Sequence, residues 1–347
     1  EALTSKGDAP MHAANTFTFA ATFLLGTATS AVLAGPPLYH IVECGSFGTG
    51  DSAAWEVDDL GRACGWAVAP NGLNDHGFYF DATGKLHNIQ PLSAPNGGYS
   101  WAFGTNNHGQ VVGYCNAASN SSFHAYLWSA TTGTVDLGVP DWAVGNFARA
   151  EAINDQGVVV GMVGSVPFNL RGCIWLGDEM IEIPTFGGDE SRAKALNELN
   201  DVVGMARLES GQMRGFIVPN GNVAAMIELP APEGGDAFAS EINNNREIVG
   251  WGATADGAYH ALYWSEPAGM VYLPEPNDEQ VWQSYAYGIN DSGTIVGMVQ
   301  DPAGEQYAAV WIDGEVFLLE DLLVIDSDIR YFSARDINES GAIATAG

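Results

Sequence analysis

The sequence predicts an all-β protein, a β-propeller of about seven four-stranded blades whose last blade is incomplete and is closed by an N-terminal strand. Two repeated phrases predict this class, and the chain shows no sustained helical periodicity. The first phrase, Ala-x-x-Ile-Asn-x-x-Gly-x-(Val/Ile)-Val-Gly, is complete at residues 150–161 and 286–297. The second, His-Ala-x-x-Trp, occurs at residues 124–128 and 260–264. Variants of both phrases recur with turn residues between them, at a period typical of propeller blades.

The Asn or Asp of the first phrase recurs seven times, and we call it the anchor of its unit. Its side chain can open a turn by bonding to nearby backbone amides, and a Gly three positions later can take the left-handed conformation that the hairpin loop needs. At that position Asn200 also suits the left-handed region, whereas Arg246 does not. We interpret the anchors as structural turn residues and predict no catalytic residue in the chain. The anchors are Asp58, Asn106, Asn154, Asn197, Asn243, Asn290 and Asn338, at steps of 43 to 48 residues.

The two ends of the repeat array indicate a closed ring. Residues 39–44 read as the fourth strand of a unit whose first three strands are missing, and residues 334–347 read as a unit with its first two strands only. Closure would place the leading strand beside the trailing unit, which hides the sheet edges. We therefore expect one repeat domain, residues 35–347, that is cut short at its C-terminal end. The alternative is an open β-solenoid, with units stacked in a line.

Residues 1–34 are predicted to be upstream residues followed by an export signal. No charged residue occurs from Phe17 to Ala34, and the small Ala34 suits cleavage by a signal peptidase. A stretch of about 18 residues is marginal for spanning a bilayer. The prediction is a secreted or cell-surface protein that has no membrane insertion after the signal is removed.

The charge balance restricts the partners that the chain can have. Twelve Lys and Arg against 42 Asp and Glu give a formal net charge of −30. A nucleic-acid ligand is not expected, because such proteins present a basic face to phosphates. Acidic pairs such as Asp58 with Asp59 could hold Ca²⁺, but no spacing suits zinc, so we predict no metal site and no other cofactor.

The positions of the tryptophan and cysteine residues support further predictions about packing, exposure and disulfide formation. One Trp recurs at the end of the second phrase and is predicted to pack between blades; the copies are Trp128, Trp175, Trp264 and Trp311. Four other Trp residues fall outside that position and could form an exposed aromatic platform, namely Trp55, Trp101, Trp142 and Trp282. The cysteines could form disulfides in an exported chain or remain as buried free thiols. They are Cys44, Cys64, Cys115 and Cys173.

At its two phrases the sequence resembles the HAF-repeat family of extracellular bacterial proteins. That family carries a His-Ala-Phe run followed by Leu-Trp, which residues 124–128 match closely and His260-Ala261 matches in part. It also carries the Ile-Asn run seen at residues 153–154 and 289–290. The resemblance covers about residues 39–347. It implies export and a repeat-built β domain, and it implies no activity, since the family is described by its repeat.

Two functions follow as hypotheses. The first is a secreted or cell-surface propeller that acts as a binding or structural scaffold for a glycan or an extracellular protein. The alternative is an extracellular polysaccharide hydrolase or lyase with its site at the central channel. The alternative needs a cluster of unlike polar residues at one channel mouth. The same apolar or Gly residues around the whole channel would remove its basis.

Overall fold

A computed structural model of the chain describes ten segments. They are residues 21–27, 36–48, 50–93, 98–117, 122–165, 169–232, 235–255, 257–276, 283–324 and 331–346, with backbone alone for 21–27. The described residues are all-β, with 57% in strands and 4% in helices. Its strands form four-stranded antiparallel sheets in which strands that follow each other in the chain are neighbours. The prediction of an all-β repeat protein is confirmed at this level.

The described strands begin with β1 (Ala21–Thr27) and β2 (Leu38–Gly45). Unit 1 contains β3 (Ser52–Val57), β4 (Ala63–Val68), β5 (Asp75–Phe80) and β6 (Leu86–Ile89). Unit 2 contains β7 (Ser100–Thr105), β8 (Gln110–Asn116), β9 (Phe123–Ser129) and β10 (Gly133–Asp136). Unit 3 contains β11 (Phe147–Ile153), β12 (Val159–Gly164), β13 (Arg171–Leu176) and β14 (Glu179–Ile183). A parallel pair, Phe147 opposite Phe123, joins units 2 and 3.

Unit 4 contains β15 (Gly187–Leu196), β16 (Val202–Leu208), β17 (Met213–Val218) and β18 (Ile227–Glu228). Unit 5 contains β19 (Ala237–Ile242), β20 (Ile248–Ala253), β21 (Tyr259–Ser265) and β22 (Gly269–Tyr272). Unit 6 contains β23 (Gln283–Ile289), β24 (Ile295–Gln300), β25 (Gln306–Ile312) and β26 (Glu315–Leu318). The last sheet contains β27 (Ser333–Ile337) and β28 (Ile343–Ala346). Short 3₁₀ turns lie at Pro219–Gly221, Val223–Ala225 and Leu319–Leu322.

The anchor forms the first turn of each unit through its side-chain oxygen. In unit 2 the Oδ1 atom of Asn106 accepts the backbone N–H groups of His108 and Gln110, both at 3.1 Å. The residue three positions after the anchor has a positive φ, which is 59° at Asn200 and 61° at Arg246. Both non-Gly residues therefore adopt the conformation that Gly supplies in the other units.

The last sheet differs from the expected one. Its strand order is β2-β1-β28-β27, so the leading strand shares a sheet with the trailing unit, as closure requires. However, the place expected to be empty is filled by β1, which pairs with β2 on one side and β28 on the other. An uncharged apolar stretch suits a buried strand as well as an export signal. The rest of residues 1–34, with the predicted cleavage point at Ala34, lies outside the described residues, and export stays a prediction.

Apolar clusters lie between successive units. Seven such clusters occur among the described residues, and six of them join side chains of two units that follow each other in the chain. The seventh joins unit 1 to the last sheet, through Val57 and Phe78 on one side and Ala342 and Ala344 on the other. The four repeated tryptophans are buried within these clusters or against them, with at most 6% of each residue exposed. The prediction that they pack in the core is confirmed.

The cysteines are buried free thiols, so the disulfide alternative is wrong for this structure. They occupy apolar positions of different units. Burial raises the pKa of the Cys44 thiol to about 12 and that of Cys64 well above its ordinary value. The thiols are therefore protonated and unreactive at neutral pH. Across the described segments, no helix has the length and apolar character needed to cross a bilayer.

Candidate functional site

Every unit carries a β-bulge at the same place in its first strand. In unit 3, Ala150 pairs with Gly161 and Ala152 pairs with Val160, which leaves Glu151 outside the ladder. The same register shift occurs three positions before the anchor in the other units. The Gly that ends the first phrase makes room for the bulge, since a Cβ on Gly161 would lie 2.0 Å from the Arg149 carbonyl oxygen. Bulges re-aim the side chain that they carry and are common beside functional sites.

The seven bulge residues line one shared cavity and are all different. The cavity has a volume of about 180 Å³, and we call it the bulge cavity. Repeats with a purely structural role would be expected to use the same residue type at this place. The bulge residues are Trp55, Phe103, Glu151, Lys194, Ser240, Tyr287 and Arg335.

The next position, two residues before the anchor, is small in four units and acidic in three. Small residues are needed where first strands come close, since a Cβ on Gly104 would lie 2.9 Å from the Ala152 Cα. The three acids are Glu56, Glu241 and Asp336, and each lines the bulge cavity. The hydrolase or lyase hypothesis requires a cluster of unlike polar residues. The bulge cavity contains such a cluster.

The three acids accept backbone N–H groups, and the charge of Asp336 raises the pKa of the other two. Glu56 accepts from Thr105 at 3.2 Å, and Asp336 accepts from Val57 at 3.0 Å. Burial, followed by the charges of Asp336 and Glu241, raises the pKa of Glu56 well above its ordinary value. Burial and then the Asp336 charge do the same for Glu241, and burial raises the pKa of Asp336 to about 6. Burial therefore disfavours the charged forms of Glu56 and Glu241.

A compact ion cluster occupies one side of the bulge cavity. The Glu151 carboxylate lies 2.8 Å from the Arg149 Nε and 2.9 Å from the Lys194 Nζ, and 5% of its side chain is exposed. Burial opposes ionisation of Glu151, but the two cations hold its pKa below the ordinary value. Burial lowers the pKa of Lys194, although the nearby Glu151 carboxylate acts to raise it. The Arg149 guanidinium also lies 4.0 Å from the ring centre of Phe103, a cation–π contact.

Arg335 lies between two aromatic rings on the other side of the cavity. Its Cζ is 4.7 Å from the ring centre of Trp55 and 4.9 Å from that of Tyr287. Burial lowers the pKa of the guanidinium, and the nearby Tyr287 opposes that shift. Within the described residues Arg335 forms no ion pair, although acids outnumber cations in the chain by 42 to 12.

Half-buried aromatic side chains extend outward from the cavity. The Trp101 ring stacks against Tyr99 and Tyr114, with ring centres 5.4 and 4.8 Å apart. Trp251, which also lines the cavity, contacts Tyr285 edge-on at 5.5 Å. We call these rings, together with the aromatic bulge residues, the aromatic surface.

The four tryptophans proposed as a platform do not lie together. Trp55 lines the bulge cavity and Trp101 belongs to the stack beside it. Trp142 is 37% exposed but lines neither the bulge cavity nor any stack described above. Trp282 lies outside the described residues. Trp251 was not singled out from the sequence, and its position in the second strand is also Trp in unit 1 (Trp66) but Tyr in unit 2 and Met in units 3, 4 and 6.

The anchors form a hydrogen-bonded circuit on the opposite side of the three acids. The Nδ2 of each Asn anchor donates to the backbone carbonyl of the next anchor, at 2.6 to 3.2 Å, and Asn338 donates to Asp58. Asp58 has no N–H to donate from its side chain, and Arg62 Nη2 bonds the Asn106 carbonyl in its place at 3.2 Å. The anchors are thus turn residues that also link neighbouring units.

The residue after each anchor forms a second circuit, which we call the rim. Its backbone N–H donates to the side-chain oxygen of the next rim residue, at 2.7 to 3.0 Å, and the last bonds the first. Burial raises the pKa of Glu339, and the negative charges of Asp291 and Asp59 raise it further. The rim residues are Asp59, Asn107, Asp155, Glu198, Asn244, Asp291 and Glu339, and they line a cavity of about 170 Å³.

The first residue of the second phrase links the third strand to the fourth or to the segment after it. His124 Nδ1 lies 2.9 Å from Asp136, and His260 Nδ1 lies 2.7 Å from Glu275. Arg171 occupies the same place in unit 3 and lies 3.2 Å from Glu182. The phrase therefore uses His or Arg as a donor to an acid, a shared structural role that sequence comparison did not reveal.

No group of three or more His, Cys, Asp or Glu side chains within the described segments is arranged to hold a metal ion. No protein-family model and no curated protein matches the chain. Among solved structures, it is similar to puromycin hydrolase, with 12% identity over 88% of this chain and 54% of that one, at a TM-score of 0.55. It is also similar to a puromycin-hydrolyzing peptidase of Mycobacterium tuberculosis, with 12% identity over 84% and 50%, at 0.52.

A third similar structure is the β-propeller domain of the Trilobed protease from Pyrococcus furiosus. The identity is 10% over 82% of this chain and 86% of that domain, and the TM-score is 0.51. The chain spans about half the length of the two peptidases that act on puromycin. At such low identities the likeness shows the fold alone, which is propeller-like.

Proposed function

We propose that the chain closes into a seven-bladed propeller that binds a glycan in the bulge cavity and on the aromatic surface around it. The observation that carries the proposal is the bulge shared by every unit, which brings seven different side chains to one cavity. The fold itself does not require the seven bulge residues to differ. The anchor, three residues later in each unit, is nearly invariant. Ligand sites typically combine aromatic walls with a few placed polar groups, and the bulge cavity has both.

Closure is supported by contacts between the two ends of the repeat array. Asn338 and Glu339 complete the anchor and rim circuits by bonding to Asp58 and Asp59. The apolar cluster of Phe78 with Ala344 resembles those between the other successive units. A row of units would leave one face of unit 1 and one face of the last unit uncovered.

A secreted or cell-surface location is part of the proposal. It is supported by the apolar segment before Ala34 and by the resemblance to the HAF-repeat family, whose members are extracellular. N-terminal sequencing of the protein recovered from the medium or cell surface of an expressing bacterium tests it. A mature chain that starts at Gly35 is expected. It would lack β1, so the last sheet would keep β2, β28 and β27 without the strand between β2 and β28. Retention of residues 1–34 in a cytoplasmic product would contradict the proposal.

Titration calorimetry with neutral and acidic oligosaccharides tests glycan binding. We expect Trp55→Ala and Tyr287→Ala each to weaken binding about tenfold, because each removes an aromatic wall of the cavity. Trp142→Ala is the matched control, since it removes an exposed Trp that does not line the cavity, and it should bind as the wild type does. A wild-type protein that binds none of the oligosaccharides, or an equal loss with Trp142→Ala, would contradict the proposal.

A polysaccharide hydrolase or lyase is the second candidate, favoured by the raised pKa of the Glu56 and Glu241 carboxyl groups in the bulge cavity. A carboxyl with a raised pKa can serve as general acid, and glycoside hydrolysis uses a pair of acidic residues. Release of reducing ends from the oligosaccharides that bind would support this candidate. Glu241→Gln should then abolish release while binding persists. Binding of oligosaccharides without release of reducing ends would reject the enzyme candidate, and glycan binding would remain as the proposed function.

A further inference from the structure

Two residues that line the bulge cavity, Trp55 and Arg335, each carry a buried hydrogen-bond donor without an acceptor among the described residues. The Arg335 Nε and the Trp55 Nε1 are both shielded from solvent, and neither has a hydrogen-bond partner among the described residues. They belong to units that meet where the two ends of the array come together. The two side chains are in contact, with the guanidinium carbon 4.7 Å from the Trp55 ring centre. Buried donors are normally satisfied, so this pair indicates a place for an acceptor that comes from outside the chain.

Arg335 has no ion-pair partner within 4.0 Å among the described acids. Arg149 and Lys194, the other cations of the cavity, share the carboxylate of Glu151. Glu56 and Glu241 form no ion pair with Arg335 within 4.0 Å among the described residues, and burial disfavours the charged form of both. Asp336 is the remaining acid of the cavity and forms no ion pair with Arg335 within 4.0 Å among the described residues.

We propose that Arg335 and the Trp55 indole form a binding site, which we call the seat, for the anionic group of a terminal acidic sugar. A guanidinium edge binds a carboxylate or sulfate through parallel N–H bonds, and the indole N–H adds a third donor. The rings of Trp55 and Tyr287 hold the guanidinium from its faces, which leaves its edge for the ligand. The cavity of about 180 Å³ is below the roughly 300 Å³ at which drug-sized ligands begin, so it holds an end group and not a chain.

The inference rests on the proposed glycan binding and is tested with three tetrasaccharides of matched length. One is a uronic acid oligomer, one carries sulfate, and one is neutral. We expect at least one acidic probe to bind about tenfold more tightly than the neutral probe, as a charge-assisted bond predicts. Arg335→Gln should abolish that preference, because it should weaken binding of the acidic probe by about tenfold more than binding of the neutral probe. Lys85→Gln removes the same charge at an exposed position and should keep the preference.

Trp55→Phe is the second variant, because it keeps an aromatic ring and removes only the indole N–H. It should reduce the acidic preference several-fold while neutral binding persists, and its melting temperature reports whether it folds. Equal affinity for acidic and neutral probes in the wild type would overturn the seat while glycan binding stands. A preference that survives Arg335→Gln would also overturn it. Failure of all three probes with the wild type would instead overturn the proposed function.

Discussion

Single residues explain where the units depart from their shared pattern. Arg246 has a φ of 61°, a conformation that costs a non-Gly residue about 1 kcal/mol or more. Its guanidinium bonds the two oxygens of Asp201 at 2.7 and 3.0 Å, and the Asp201 side chain has no exposed surface. Burial opposes ionisation of Asp201, but Arg246 and the Asn220 amide hold its pKa below the ordinary value. This ion pair between two units therefore offsets the backbone strain at Arg246. The sequence pattern favours Gly or Asn at this position.

Asp336 should make the stability of the protein depend on pH. Its pKa is about 6 in the folded protein against an ordinary value of 3.8, so the folded state binds more protons than the unfolded state between pH 4 and 6. The free energy of unfolding should fall as pH rises through that window. Asp336→Asn keeps an oxygen for the Val57 N–H and should raise stability at pH 7 by on the order of 2 kcal/mol.

Thermal unfolding of both proteins from pH 4 to pH 8 measures this effect. The melting temperatures should separate as pH rises and then stay apart above pH 7. Glu315→Gln is the control, because it removes one negative charge at an exposed strand position. A constant difference between wild type and Asp336→Asn at every pH would show that the Asp336 carboxyl does not titrate in this window.

At the scale of elements, the first hairpin of each unit depends on a donor that bonds the next unit. In unit 6 that donor is Asn290 Nδ2, and in unit 1 it is Arg62, four residues after the Asp anchor. Asn290→Asp keeps the turn but leaves the Asn338 carbonyl without its bond, which should cost about 2 kcal/mol. Adding Thr294→Arg copies the unit 1 arrangement and should recover at least half of that loss.

Urea unfolding of the two single variants and the double variant gives the coupling energy between positions 290 and 294. Thr294→Arg alone should not stabilise the protein, since Asn290 already supplies the donor. If the double variant is no more stable than Asn290→Asp, then Arg62 does not replace the missing anchor donor in unit 1.

The sequence predicted the elements better than the site. Repeated residues mark turns and core positions, so the hairpins and the repeated Trp of each unit could be predicted from copies that agree. The bulge residues could not, because they differ in every copy and the bulge is a matter of strand pairing. The clue was present in Gly161 and its equivalents, which leave room for the carbonyl beside the bulge. Strand β1 was also missed, since its apolar composition suits an export signal equally well.

At the scale of the whole molecule, closure into a ring would make the first and last units equivalent to the middle ones. Phe78 and Phe216 occupy the same position of the second phrase, and both are fully buried. Phe216 packs between units 3 and 4, whereas Phe78 packs where unit 1 meets the last sheet. In a closed ring, Phe78→Ala and Phe216→Ala should each cost about 3–5 kcal/mol, the usual loss for a buried Phe. In an open row, Phe78 would lie on an uncovered face, and Phe78→Ala would cost far less in urea unfolding than Phe216→Ala.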